Sequence, residues 1–195
     1  MNSSAHKGLL MATMEAPATM DEEFQDWYDT EHFPERQNYP GFETAHRWVC
    51  VDGWPRWLAT YDLASVDAVQ TPQYLSTNAD KASPWSKRIL SRLSGRRRVV
   101  ATQIAPGNEL CLPQEKVSRL LLALYPSASL DPKASVPPSS APGPAQLRYF
   151  GAPGEIWLLA AFERPVVLGE LTAAYGSLNG RGASLFNLYG PYRRN

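Results

Sequence analysis

The sequence predicts an α+β fold of two tandem β-α-β-β-α-β units, the second without its first helix. Three observations predict it. Residues 7–104 alternate short apolar β-prone runs with helical runs in that order. After Cys111 part of the order recurs as strand, loop, strand, strand, helix, strand. Each half also holds a turn signal between two β-prone runs, Asp52-Gly53-Trp54-Pro55 in the first and Ala152-Pro153-Gly154 in the second, which marks an antiparallel hairpin.

The elements follow in order. Lys7 to Glu15 is an apolar run closed by Ala16-Pro17 and reads as a strand. Met20 to Glu31 reads as a helix: Thr19 is its N-cap, and Asp21, Glu22 and Glu23 sit where the helix dipole favours acids. Phe24, Trp27, Tyr28 and Glu31 share one face, and Pro34, which offers no amide, kinks or ends the helix just after His32. Phe42–Val51 and Trp57–Leu63 are the hairpin strands. Ser65–Ala79 and Pro84–Leu93 read as short helices, the latter with Pro84 at its first position, and Arg98–Ile104 as the fourth strand.

In the second half, Leu120–Tyr125 is a buried strand and the Pro- and Ser-rich stretch 126–144 cannot be a regular helix. Gln146–Phe150 and Ile156–Phe162 form the second hairpin, Val166–Leu178 a helix and Ala183–Tyr189 a closing strand. The chain thus divides into residues 1–111 and a degenerate unit at 112–195, each a ferredoxin-like split βαβ unit. Such a sheet has one helix-covered and one open face. Two open faces or two edges can pair to enclose a cavity, within one chain or in a homodimer.

Composition excludes several classes. Nineteen basic residues balance nineteen acidic ones, so no excess of cations is present to neutralise phosphates, and a nucleic-acid partner is not expected. No apolar run approaches the roughly 20 residues of a membrane span, and the N-terminus has no signal-peptide pattern, which together predict a soluble cytoplasmic protein. Cys50 and Cys111 lack ligand spacing and read as reduced structural thiols. His6, His32 and His46 fall on different segments without a ligand pair, so no metal is expected, and no glycine motif calls for a nucleotide cofactor.

The stretch Phe24-Gln-Asp-Trp-Tyr-Asp-Thr-Glu-His-Phe-Pro-Glu-Arg36, then Tyr39-Pro-Gly-Phe42 and Arg47-Trp-Val49, resembles the EthD-type pattern of the dimeric α+β barrel proteins. There a helix with Tyr and Trp ends in His-x-Pro, and a Pro-Gly turn leads into a strand bearing Arg and an aromatic. Ala82-Ser-Pro-Trp-Ser86 has the look of a subfamily signature. The resemblance spans residues 7–104, on a specific core of about twenty-five residues, and carries fold further than function. It implies a substrate class, small oxygenated organic molecules held inside the barrel, and nothing finer.

His32 is the first candidate, because imidazole can take and give a proton near neutral pH. Asp29, three residues earlier, is within reach to orient it; the competing reading is that His32 only caps free carbonyls at the kink. Tyr61 offers a hydroxyl to an enolate oxygen, or else packs across strands. On the second strand Thr44, His46, Trp48 and Cys50 share one face, and Ala45, Arg47 and Val49 the other. Whichever lines the cavity supplies either His46 and Trp48 or Arg47 as substrate contacts. Trp27 and Trp85 can stack on a ring or belong to the core. Arg96-Arg97-Arg98 alternate across a strand, either solvated or attracting an anion.

The function expected is acid–base chemistry without a cofactor, isomerisation first and hydrolysis or dehydration next, on a carbonyl or carboxylate compound such as an aromatic ring-cleavage product. His32, Asp29 and Tyr61 would be catalytic. The alternatives are a non-catalytic ligand-binding protein and a cofactor-free monooxygenase.

Overall fold

The computed structural model describes residues 6–77, 81–105, 107–126, 143–178 and 180–194. Eight antiparallel strands close into one barrel. In chain order they are β1 (Gly8–Glu15), β2 (Phe42–Asp52), β3 (Trp57–Leu63), β4 (Ser94–Ala105), β5 (Arg119–Pro126), β6 (Gln146–Ala152), β7 (Glu155–Phe162) and, after the two-residue strands β8 (Ser177–Leu178) and β9 (Arg181–Gly182), β10 (Leu185–Pro191). Around the barrel they run β1-β3-β2-β10-β5-β7-β6-β4. The first half is therefore ordered β4-β1-β3-β2 and the second β10-β5-β7-β6, the same order for first, second, third and fourth strand. Pairing of β2 with β10 and of β4 with β6 joins the halves, so both sheet edges are satisfied within a single chain.

Alternation along the strands makes an inner and an outer layer. Leu9 and Met11 of β1, Trp48 of β2, Leu58 of β3, Val99 and Ala101 of β4, Phe150, Trp157 and Tyr189 pack inside the barrel. The outward residues Leu10, Met14, Trp57, Ala59, Tyr61 and Leu63 lie under helices of the first half. Those of the second half, Leu121, Leu158 and Phe162 among them, lie under α5 (Leu168–Tyr175).

The enclosed cavity expected between the open faces is filled. Besides the large rings it holds a buried ion pair that crosses between the halves, Arg148 Nη1 to Asp62 Oδ1 at 2.7 Å. The other Asp62 oxygen accepts from Thr44 Oγ1 at 2.9 Å and from the Cys111 backbone N–H at 2.5 Å. Gln103 bonds both the N–H and the carbonyl of Glu109, and Gln146 donates to the carbonyl of Leu110. The segment between the halves is thus tied across one end of the barrel, which makes the interior a core rather than a site.

Several helical expectations need correction. Thr19 is not the cap: a 3-10 turn (Ala18–Met20) leads into α1 (Asp21–Trp27), and Met20 holds the cap position without a side-chain bond. The helix does not stop at His32. A π turn (Tyr28–His32) continues directly into α2 (Phe33–Gln37), with the Phe33 N–H bonding the Tyr28 carbonyl five residues back. Pro34 falls in the first turn of α2, where a missing amide costs little, so the wider turn carries the chain past the proline. Of the stretch read as one helix at 65–79, the described part is a 3-10 turn (Val66–Gln70) followed by α3 (Pro72–Leu75), because Pro72 restarts the helix; residues 78 and 79 lie outside the described residues. The next helix, α4 (Pro84–Leu90), ends earlier than Leu93. Most of the proline-rich stretch 126–144 lies outside the described residues; Pro126 itself ends β5.

Candidate active site

A cavity of about 100 Å³ lies between the outer face of the first-half sheet and its helices. It arises where side chains are small. On β1 and β3 Ala12 and Ala59 face each other, flanked by the Leu10–Tyr61 pair and by Met14, so the sheet surface dips under the π turn. Its volume is several times what one water needs, enough for a small organic molecule. Leu10, Ala12, Met14 and Leu90 supply apolar wall, and Tyr28, His32, Tyr61, Arg36, Arg96 and Arg98 the polar groups.

His32 enters this cavity from the end of the π turn. Its ring stacks on Trp27 with centroids 4.4 Å apart and meets Tyr28 edge-on at 5.2 Å. Trp27 is in turn fixed from behind. Its indole N–H donates to Ser86 Oγ at 3.0 Å and Glu31 Oε1 at 3.2 Å, while Glu31 Oε1 also accepts from Ser86 Oγ at 2.8 Å and Ser83 Oγ at 2.5 Å. Ser83 caps α4, accepting from the Ser86 N–H at 2.9 Å. The Ala82–Ser86 motif thus holds the indole against which His32 is aligned, Ser86 lying 59 residues beyond Trp27 in the chain.

Burial, with help from Arg36, Arg96 and Arg47, holds the His32 pKa well below its ordinary value near 6.5. The ring is neutral at pH 7, and among the described residues its nitrogens have no hydrogen-bond partner. Tyr61, 2% exposed, lines the same cavity, its buried hydroxyl interacting with that of Tyr28. It lies close enough to Tyr28 for each phenol to influence the other's ionisation. Burial is the first cause that raises both pKa values, Arg47 opposing it at Tyr28 and Tyr28 adding to it at Tyr61. Both stay protonated and are available as donors.

The remaining sequence candidates divide by face. Asp29 does not meet His32; its carboxylate pairs with Arg47, whose Nη2 also donates to Gln25 Oε1 at 2.5 Å. The strand cation outcompetes a helical neighbour at i+3 because it brings full opposite charge. Arg47 is 5% exposed and lies between the rings of Tyr28 and Tyr192, 4.2 Å from each centroid. It points to the helix layer, beside rather than into the cavity. His46 and Trp48 point the other way, into the barrel, with Trp48 Nε1 donating to Thr60 Oγ1 at 2.9 Å. Trp85 packs against the outer core of the first half and does not line the cavity.

Three arginines outside the named site candidates border it, Arg36, Arg96 and Arg98, the last two left open by the sequence between solvation and attraction of an anion. The signal available was the period of β4, which sends Arg96 and Arg98 to one face and Arg97 to the other, where it pairs with Glu155 and covers Trp157 at 4.8 Å. No group of three or more His, Cys, Asp or Glu side chains among the described residues is arranged to hold a metal ion. No helix among them is long and apolar enough to cross a membrane.

No family model and no curated protein matches the sequence. Solved structures do match in fold. An anthrone oxidase-like protein superimposes with a TM-score of 0.63 at 9% identity, over 98% of this chain and 93% of its own. A provisionally assigned chlorite dismutase gives 0.59 at 10% identity, covering 97% and 96%. A provisionally assigned monooxygenase from Lactobacillus acidophilus NCFM gives 0.54 at 8%, covering 97% and 100%. The match spans nearly the whole chain in each case, so what is shared is the fold, a closed eight-stranded antiparallel barrel.

Proposed function

We propose that this chain is a cofactor-free enzyme that moves a proton on a small carbonyl-bearing molecule held between helices and sheet. The observation that carries the reading is the pairing, in one cavity, of an imidazole with no hydrogen bond among the described residues and a buried phenol. His32 takes the proton from carbon or oxygen next to the carbonyl. Tyr61 donates to the oxygen on which charge collects, and the arginine field stabilises that charge further. Returning the proton to another carbon is isomerisation, the reaction placed first; expulsion of a hydroxyl (dehydration) or ester opening follows at the same groups.

Trp27 and the Glu31–Ser83–Ser86 cluster act as positioning groups for the imidazole. Asp29 contributes through Arg47, which it holds against Tyr28, rather than by touching His32. His46, Arg47 and Trp48 are read as structural, since none of them lines the cavity. The EthD-type assignment rests on the Phe24–Arg36 and Tyr39–Val49 motifs, and the tandem-unit reading (1–111 and 112–195) on the repeated strand order. Cytoplasmic location and a homodimer built on the closed barrel belong to the same proposal.

A second reading, oxygenation without a cofactor, is favoured by the names of the fold neighbours and shares the first step, because a deprotonated phenol or enol is what dioxygen attacks. One experiment separates them. Wild type and His32→Ala are compared on a panel of unsaturated keto- and hydroxy-acids and quinols by ultraviolet absorbance, with and without air. Turnover that persists without oxygen and falls about a hundredfold or more in the variant supports proton transfer by His32. Turnover only in air supports oxygenation, and turnover untouched by the substitution removes His32 from the chemistry. Ligand binding with no turnover leaves a binding protein.

A further inference from the structure

The chemistry above needs a carbonyl but leaves the rest of the substrate open, and the charges around the cavity narrow it. Among the described residues that line it, three are arginines and none is Asp or Glu. A cavity that gathers one sign of charge beside low-dielectric walls favours the opposite sign in its ligand. The three cations are not equally available. Arg98 donates through Nε and Nη2 to the Tyr74 hydroxyl at 3.2 and 3.0 Å. Arg36 is buried with its guanidinium over the rings of Tyr74 and Tyr39, at 4.7 and 5.3 Å. Arg47, nearby, is bound to Asp29. Arg96 alone among these has neither an ion pair nor a hydrogen bond with the described residues, and it is solvent-exposed at the cavity's edge.

We infer that the substrate carries a carboxylate, and that Arg96 at the cavity mouth binds it as the specificity-determining residue. The inference rests on the proton-transfer reading only for the word substrate; the anion preference stands or falls by itself. The guanidinium's planar donors suit a carboxylate held by two parallel bonds, and no carboxylate among the described lining residues competes for them. Strand alternation makes this position separable from its neighbour: Arg97, one residue on, faces Glu155 on the opposite side of the sheet. The carboxylate end would stay at the solvent-exposed rim while the apolar remainder enters over Ala12, beneath the His32 ring.

The test is calorimetric titration of the full chain with acetate, crotonate and benzoate, and with benzamide as the neutral counterpart of benzoate. In wild type at least one anion should bind, and benzoate about tenfold tighter than benzamide, the effect of one charge-assisted contact at an exposed rim. Arg96→Gln should remove that preference, whereas Arg97→Gln, with an unchanged circular dichroism spectrum, should keep it. Equal affinity of benzoate and benzamide in wild type, a preference that survives Arg96→Gln, or no binding of any of the three anions at millimolar concentration would each overturn the inference. His32→Gln keeps the two proposals apart. It should bind benzoate as wild type does; loss of turnover with retained binding supports both, and retained turnover with retained binding sinks only the role of His32.

Discussion

Removing Arg148 should cost the protein much of its stability and leave the helix–sheet cavity intact. Arg148 and Asp62 are 1% and 2% exposed, and their bond joins the two halves inside the barrel. Deleting one partner of a buried pair costs about 3–5 kcal/mol, because the other charge stays in a low-dielectric interior. In Arg148→Met, Asp62 keeps its bonds from Thr44 and the Cys111 N–H, which puts the loss at the lower end, about 3 kcal/mol. For a chain of this length that is a fall of roughly 6–12 °C in Tm. Asp62→Asn with Arg148→Met should recover most of it, since no buried charge remains and the amide still offers the Cys111 N–H an acceptor. The assay is thermal and urea denaturation of wild type, both single variants and the double, with benzoate titration well below each Tm. Benzoate affinity should stay within about twofold of wild type, the cavity sharing no residue with the pair. A single variant within 2 °C of wild type, or a double no more stable than Arg148→Met, would refute the picture of a packed interior with a buried pair.

Two further outcomes follow from the positioning groups and the imidazole. Glu31→Gln removes the charge that three donors converge on and should lower stability by about 1–3 kcal/mol while reducing kcat more than it changes KM. Steady-state kinetics beside a denaturation curve checks both. Because His32 is held well below its ordinary value, the acid limb of kcat/KM should fall below pH 6.5, leaving activity flat from there through neutrality. The sign for stability is the same. The native state resists protonation that the unfolded chain accepts, so the neutral ring's contribution is present in full above about pH 6.5 and is lost as pH falls from there through the lower folded-state value. His46, also lowered by burial, adds to the loss in that window, and a pH series of denaturation midpoints reads it.

Strand existence was legible because the runs are apolar and the hairpin turns are explicit; β3 falls on the residues expected. Which face of β2 meets the site was not. At its middle β2 is covered on both sides, Arg47 and Trp48 being buried alike, so polarity does not mark an outside there. His46 and Trp48 against Arg47 was accordingly an undecidable choice from alternation alone, and the cavity turned out to lie on the face of Arg47 but to exclude its guanidinium. The π turn was equally invisible: Pro34 by itself signals only a break, and nothing in the spacing marks where the helix widens. Asp29 was misread as a partner for His32 because helix spacing knows nothing of a cation arriving from a strand 18 residues away. The Ser83-Pro84 start of α4 was legible as a helix beginning, but the second duty of Ser83, bonding Glu31, required the fold.

The central claim is that His32 removes a proton from a small carbonyl compound within the helix–sheet cavity. The most direct test follows, by proton NMR in heavy water, the exchange of hydrogens next to the carbonyl in enolisable keto-acids. Wild type should accelerate exchange, and His32→Gln, folded and still binding benzoate, should lose about a hundredfold or more of that acceleration. Exchange that proceeds equally in the variant would contradict the account and send the proton to another group.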